Sequence, residues 1–124
     1  MSLPHDRYYS SDHVWLARDG ETLLLGITEH AQDALGQIES INLPAIGERL
    51  VADAICGTLE SVKTVSDLVA PIAATVIEHN AAVASDPGIV NDEPFEGGWL
   101  VRLSEFAETG LTELLTSTEY AEMI

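Results

Sequence analysis

Between Ile38 and His79 the sequence breaks into short stretches rich in strand-forming residues, "IESINLPAIGE", "ICGTLESV", "SDLVAP" and "ATVIEH", with Pro44, Gly47 and Pro71 marking the breaks. Pieces this short, ended by residues that interrupt a ladder or need unusual backbone angles, favour several short strands over any long helix. Upstream, Val14 to Arg18 and Glu21 to Thr28 flank Asp19-Gly20. Asp-Gly between apolar runs predicts a hairpin whose two turn positions both take positive φ. Helical signals are few. Thr28 can cap "EHAQDAL", with Glu29 in the first turn, Ala31, Ala34 and Leu35 at helical spacing and Gly36 as the stop. Thr116 and Glu119 have capping-box spacing before "YAEMI", and Leu111, Leu114 and Leu115 form an apolar stripe just before them. The stretch "NAAVASDPGIVNDEPFEGGW" reads as a connection with a short turn of helix, followed by "WLVRL" as a last strand. The expected fold is mainly β, a sandwich or flattened barrel with a short internal helix and a C-terminal helical segment, forming a single domain over residues 1–124.

Composition narrows the function classes. A chain of 124 residues, 46% apolar, can build one core but not two independent ones. Its formal charge of -16 argues against nucleic acid and membrane partners, since both are bound through clustered Lys and Arg. Docking to basic protein surfaces and a merely solvated acidic surface both remain open. Cys56 is the only cysteine, so no internal disulfide forms and a reducing compartment is expected; in "AICG" it reads as a small buried hydrophobe. No basic segment followed by an apolar one opens the chain, and no apolar run approaches the roughly 18 residues that span a bilayer, so the expected location is cytoplasmic. His5, His13, His30 and His79 lack metal-ligand spacing, and no metal site is expected. Nucleophile-elbow, phosphate-loop and dinucleotide motifs are missing as well, so no catalytic residue is assigned.

One residue stands out against that background. Lys63 is the sole lysine in a chain with 21 Asp plus Glu, and it falls between the strands "ICGTLES" and "SDLVAP", at a hairpin tip. Glu60 precedes it by three positions, Asp67 follows by four, and its flanks Ser61, Val62, Thr64 and Val65 are small or β-branched. A tip of that kind presents an amine to another enzyme without competing bulk. Protonated at neutral pH, a lysine there serves better as an attachment point for an activated acyl group than as a catalyst.

At these residues the sequence resembles the glycine cleavage system H protein family, lipoyl carrier proteins. "ESVK" at Glu60 to Lys63, then Ser66-Asp67 and Ala70-Pro71, look like that family's lipoyl-attachment region. The likeness continues through "HVWL" from His13, "GITEHAQDALG" from Gly26, "LP" at Leu43-Pro44, "IVNDEP" from Ile89 and "GGWL" from Gly97. It implies a barrel-sandwich hybrid of the lipoyl-domain kind, with lipoic acid in amide linkage on Lys63 and Glu60, Ser61, Val62 and Asp67 around it. It further implies a non-catalytic, monomeric carrier served by three enzymes. The P protein (glycine decarboxylase) loads an aminomethyl group from glycine, the T protein (aminomethyltransferase) passes its methylene to tetrahydrofolate, and the L protein (dihydrolipoamide dehydrogenase) reoxidises the dithiol. A lipoate ligase or a lipoyl/octanoyl transferase would attach the arm.

Two departures from the family pattern bear on how such an arm is held. Val14 stands where the family usually has Glu between the His and Trp of the first strand, and Ala73-Ala74-Thr75 replaces a Ser-Gly-Glu turn. A glycine turn with positive φ would suit Ala74 poorly, so a different local backbone is expected there. Val14 is also the main support for an alternative, an H-like paralogue that relays lipoate or serves another redox route. A swinging-arm domain of a 2-oxo acid dehydrogenase and a biotin carrier fit less well, because biotin carriers usually place Met on both sides of the lysine and neither domain has the "GITEHAQ" element. An unmodified β-rich interaction module is the remaining alternative.

Overall fold

The computed structural model describes residues 3–124. In chain order its elements are β1 (Arg7–Tyr9), β2 (Val14–Asp19), β3 (Thr22–Ile27), α1 (Glu29–Leu35), β4 (Ile38–Asn42), β5 (Arg49–Leu50), β6 (Ile55–Ser61), β7 (Val65–Val69) and β8 (Ala74–His79). Two short helices, α2 (Ala81–Ser85) and α3 (Ile89–Asp92), lead to β9 (Val101–Ser104), and α4 (Glu108–Thr112) and α5 (Ser117–Met123) follow. The strands form a six-stranded sheet in the order β1-β2-β3-β9-β8-β5 and a three-stranded sheet in the order β4-β6-β7. Every pairing in both is antiparallel.

Alternation along the strands builds the space between the sheets. Leu16, Leu23, Leu25, Val76 and Leu103 from the larger sheet share one buried cluster with Ile38, Leu59 and Leu68 from the smaller. Each such side chain removed from water contributes about 1.5–3 kcal/mol. On β2 the neighbours Val14, Trp15 and Leu16 are all buried, because the strand is covered on both faces. Val14 and Leu16 enter the main cluster, while Trp15 joins Tyr9 and Tyr120 in a second one, against which Leu3, Phe95, Trp99 and Leu115 pack.

Both capping signals are realised. Thr28 accepts from the Ala31 amide at the start of α1, and Gly36 ends it with φ +81°. Thr116 and Glu119 form the reciprocal box of α5. The expected Asp19-Gly20 turn is corrected by one residue: Asp19 pairs with Thr22 in the ladder, the turn residues are Gly20-Glu21, and of these only Gly20 has positive φ, +62°. Asp19 is held in the strand by its ion pair with Arg102, 2.7 Å, and by accepting at its carbonyl from the Thr22 hydroxyl, 2.8 Å. The backbone at Ala74 is likewise extended, not left-handed; the residue is fully buried and opens β8 opposite Leu50. The apolar stripe from Leu111 is not one helix. Leu115 breaks it by bridging to Tyr9, through Tyr9 N to Leu115 O at 2.9 Å and Leu115 N to Tyr9 O at 2.8 Å.

Candidate functional site: the β6–β7 tip and its cleft

The β6–β7 hairpin closes tightly. The Ser61 amide donates to the Thr64 carbonyl at 2.8 Å, and the Thr64 amide donates to Ser61 Oγ at 3.3 Å. Val62, Lys63 and Thr64 are left outside the ladder and exposed, Val62 by 75%. Among the described residues Lys63 takes part in no ion pair. Its aliphatic stem lies along the end of α1, where a Cβ placed on Gly36 would come within 3.1 Å of Lys63 Cε. A glycine therefore serves twice at this point, by taking the positive φ that ends the helix and by leaving room for the lysine stem.

Asn91 fixes that helix end. Its Oδ1 accepts from the Ile38 amide at 2.9 Å, and its Nδ2 donates to Gln32 Oε1 at 3.0 Å and to the Gly36 carbonyl at 2.8 Å. One side chain from α3 thus ties the end of α1 to the start of β4.

Beside the tip, between the hairpin and α1, lies a cavity of about 320 Å³, within the size range of small-ligand sites. Its apolar part comes from Val14, Ile27, Ala31, Leu35, Leu59 and Leu68, and its polar part from Asp12, His13, His30, Thr64, Ser66 and Asp67. Asp12 and His13 sit in the β1–β2 loop, which is built on Ser10. The buried Ser10 hydroxyl accepts from the amides of Asp12 and Val14, both at 3.3 Å, and the Ser10 carbonyl accepts from His13 N at 3.1 Å. His13 holds φ +65°, uncommon for a residue with a side chain. Its Nδ1 meets the Tyr120 hydroxyl at 2.7 Å, and that hydroxyl also meets Thr28 Oγ1 at 2.8 Å. The rings of His13 and His30 lie 4.6 Å apart. Burial and then the neighbouring His30 lower the His13 pKa, with Asp12 opposing them, which favours the neutral form of the His13 ring.

Of the residues expected around the lysine, Asp67 and the adjacent Thr64 line this cavity, whereas Glu60 and Ser61 stand on the hairpin outside its lining. Val62 is solvent-facing. Val14, which stands where the family usually has Glu, is 1% exposed and lines the cavity. Asp12, His30 and Asn91 were not singled out as site residues by sequence reasoning, and Gly36 only as the stop of a helix, although His30, Gly36 and Asn91 lie in the quoted segments "GITEHAQDALG" and "IVNDEP". Cys56 is half-buried and packs against the main core; burial, then Glu48, pushes its thiol pKa up to about 11, so it is no nucleophile at neutral pH. Among the described residues no group of His, Cys, Asp or Glu is arranged to hold a metal ion, and no helix is long and apolar enough to cross a membrane.

Comparison with known proteins gives a consistent result. The family described as "Glycine cleavage H-protein" matches residues 7–124. A glycine cleavage system H protein of Beutenbergia cavernae is 45% identical over 123 residues, 99% of this chain and 97% of its own. One from Bacillus cereus strain AH820 is 40% identical over the same shares. The crystal structure of a glycine cleavage system H protein from Mycobacterium marinum superposes with a TM-score of 0.87 at 39% identity, covering 97% of each chain. Its likeness extends to the barrel-sandwich arrangement of the two sheets.

Proposed function

The chain belongs to the glycine cleavage H-protein family, and from that premise we propose that it is the lipoyl carrier of glycine cleavage, with Lys63 as the attachment residue. It is a carrier and not an enzyme, in keeping with a sequence that has no catalytic motif. The observation that carries the assignment of Lys63 is that the chain's sole amine-bearing side chain stands exposed on a three-residue tip, beside a cavity that could receive what is attached to it.

The residues present fit a lipoyl arm. Lys63 offers a side chain outside any ion pair of the described residues, and Gly36 keeps the space beside its stem open. Ile27, Ala31, Leu35, Leu59 and Leu68 give the cleft an apolar surface suited to a hydrocarbon chain, and Asp12 and Asp67 add negative charge at its polar side. A bound lipoyl group supplies a pair of sulfurs that interconvert between disulfide and dithiol, chemistry that Cys56 alone cannot provide. The hairpin's part is to present the amide-linked arm rigidly, and the cleft's part is to shelter its free end from water. The other glycine cleavage components, the P, T and L proteins, are the partners this reading supplies, along with a lipoate ligase or lipoyl/octanoyl transferase. A cytoplasmic location belongs to the same reading.

The deciding experiment is intact-mass analysis after incubation with lipoate ligase, lipoate and ATP, with the adduct mapped by peptide sequencing. One lipoyl mass on Lys63 is expected. A chain that stays unmodified, or carries the adduct elsewhere, contradicts the assignment.

A further inference from the structure

We infer that the groove between the β7–β8 turn and α4, at the end of β7 away from Lys63, is a docking site for a polypeptide segment of the pattern acid–apolar–base, with Arg49 taking the segment's carboxylate. The inference goes beyond the carrier reading and makes no use of Lys63. Its starting observation is a surplus cation. Of the chain's five Lys and Arg residues, Arg7, Arg18 and Arg102 are each spent in ion pairs, whereas Arg49 is exposed and takes part in none among the described residues. In a chain with 21 Asp plus Glu, a guanidinium without a carboxylate partner is the exception.

Thr75 produces that exception. It stands where the family pattern has Glu, and it is the cross-strand partner of Arg49 in the β5–β8 ladder. A glutamate in that register would pair with the guanidinium. Thr75 orients it instead: its Oγ1 accepts from Arg49 Nη1 at 3.2 Å and donates to Glu105 Oε2 at 3.0 Å, and Nη1 also donates to the Glu105 carbonyl. Guanidinium carries five N–H donors, so the fork is held by one nitrogen and keeps donors for an incoming carboxylate.

Arg49 lines a groove of about 370 Å³. The floor is apolar, made by Pro71, Ile72 and Leu114, and α4 seats on it so closely that a carbon added at Gly110 would lie 2.9 Å from Ile72. Asp53 and Glu113 line the groove too, and neither is in an ion pair among the described residues. The Asp53 amide donates to the Ala70 carbonyl at 2.8 Å, which sets Asp53 beside one end of the segment 70–75, while Arg49 pairs with Thr75 at the other. Opposite charges therefore stand apart along one apolar floor. A segment with an acid and a base on either side of apolar residues complements both, whereas a purely acidic or purely basic one meets like charge at one end. The groove shares no lining residue with the cleft beside Lys63, and Pro71 and Ile72 follow β7 where Lys63 precedes it, so a partner held here leaves the tip free.

The test uses the full chain and two end-capped tetrapeptides, Glu-Leu-Leu-Lys and its reverse, with binding read from saturable amide shifts at Ala73, Thr109 and Gly110. The parent should bind the tighter peptide about two- to fivefold more strongly than its Gln-for-Glu analogue, the range of exposed ion pairs. Thr75→Glu, which gives Arg49 a carboxylate of its own, should weaken the tighter peptide by a similar factor, as should Arg49→Gln, and in both variants the peptide and its analogue should bind alike. Asp53→Asn, which tolerates the φ of +68° there, should weaken binding through the lysine end. No saturable shift with either peptide overturns the inference, and so does equal affinity of the parent for the Gln analogue, or binding that Thr75→Glu leaves intact. Binding of ε-aminocaproate as tightly as the peptides would make a small dipolar molecule the occupant and overturn the polypeptide assignment. A chain that binds peptide but gains no lipoyl mass fails the carrier reading alone.

Discussion

Trp15 lies flat across Gly26, its cross-strand partner in the β2–β3 ladder, so closely that a single added carbon at Gly26 would overlap the indole ring. The indole N–H is shared between the carbonyls of Ile27, 3.0 Å, and Pro94, 2.9 Å, which locks the ring in place. Gly26→Ala should therefore destabilise the fold by about 1–3 kcal/mol, the usual cost of overpacking, and should perturb Trp15 fluorescence. Denaturant unfolding checks it; a midpoint within error of the parent would contradict the close contact.

Lys63→Arg separates attachment from folding. At an exposed tip the change should shift stability by no more than about 0.5 kcal/mol. The guanidinium cannot accept the acyl group in place of the amine, and the chain has no second lysine. The variant is expected to melt with the parent, gain no lipoyl mass and support no glycine decarboxylation with P protein. Lipoyl mass on the variant would show that Lys63 is not the attachment residue.

Asn91→Ala removes three hydrogen bonds at once and orphans the Ile38 amide and the Gly36 carbonyl. A loss of about 1–3 kcal/mol is expected. Asn91→Asp keeps an acceptor for the Ile38 amide but no donor for Gly36, so its stability should fall between parent and Ala. Equal unfolding midpoints for the three chains would contradict this account.

His13 predicts an acid-side loss of stability. Its folded pKa lies below the ordinary imidazole value, so the unfolded chain binds the proton more readily. Its contribution is present above about pH 6.5 and is lost as the pH falls below that. The groups around it are His30, Asp12 and the Tyr120 hydroxyl. Asn tolerates positive φ, so His13→Asn should keep the loop and flatten the dependence of unfolding free energy on pH between 7.5 and 5. An unchanged slope would remove His13 as its source.

A net charge of -16 should steer association with basic partner surfaces. Apparent KM values of the P, T and L proteins for the lipoylated chain are then expected to rise with salt, because exposed charges are screened over about 10 Å at 0.1 M. Flat salt dependence for all three would exclude steering.

What was legible in the sequence was local. The Thr28 and Thr116 caps and the Gly36 stop depend on residues three or four positions apart, and each stands where its spacing placed it. Strands β1 and β5 were not, since segments of three and two residues are specified by the partner they pair with and carry no period of their own. The turn at Gly20-Glu21 was displaced by Arg102, a residue on β9 that draws Asp19 into the ladder. The cleft was harder still. Asp12, His30 and Asp67 come from a loop, a helix and a strand, and nothing in their spacing announces that they share a wall. Lys63 could be singled out because scarcity is visible in a sequence and adjacency is not.

The Tyr120 hydroxyl touches both Thr28 and His13, its ring stacks on Tyr9 at 5.1 Å, and Tyr9 in turn is bridged to Leu115. Local opening of α5 would therefore withdraw the support of the β1–β2 loop and of the first turn of α1 in one event. In native-state hydrogen exchange, the amides of α5, of β1 and of the His13 loop should share one opening free energy as a single cooperative unit. Any ligand that orders the cleft would slow exchange in α5, a helix it never contacts.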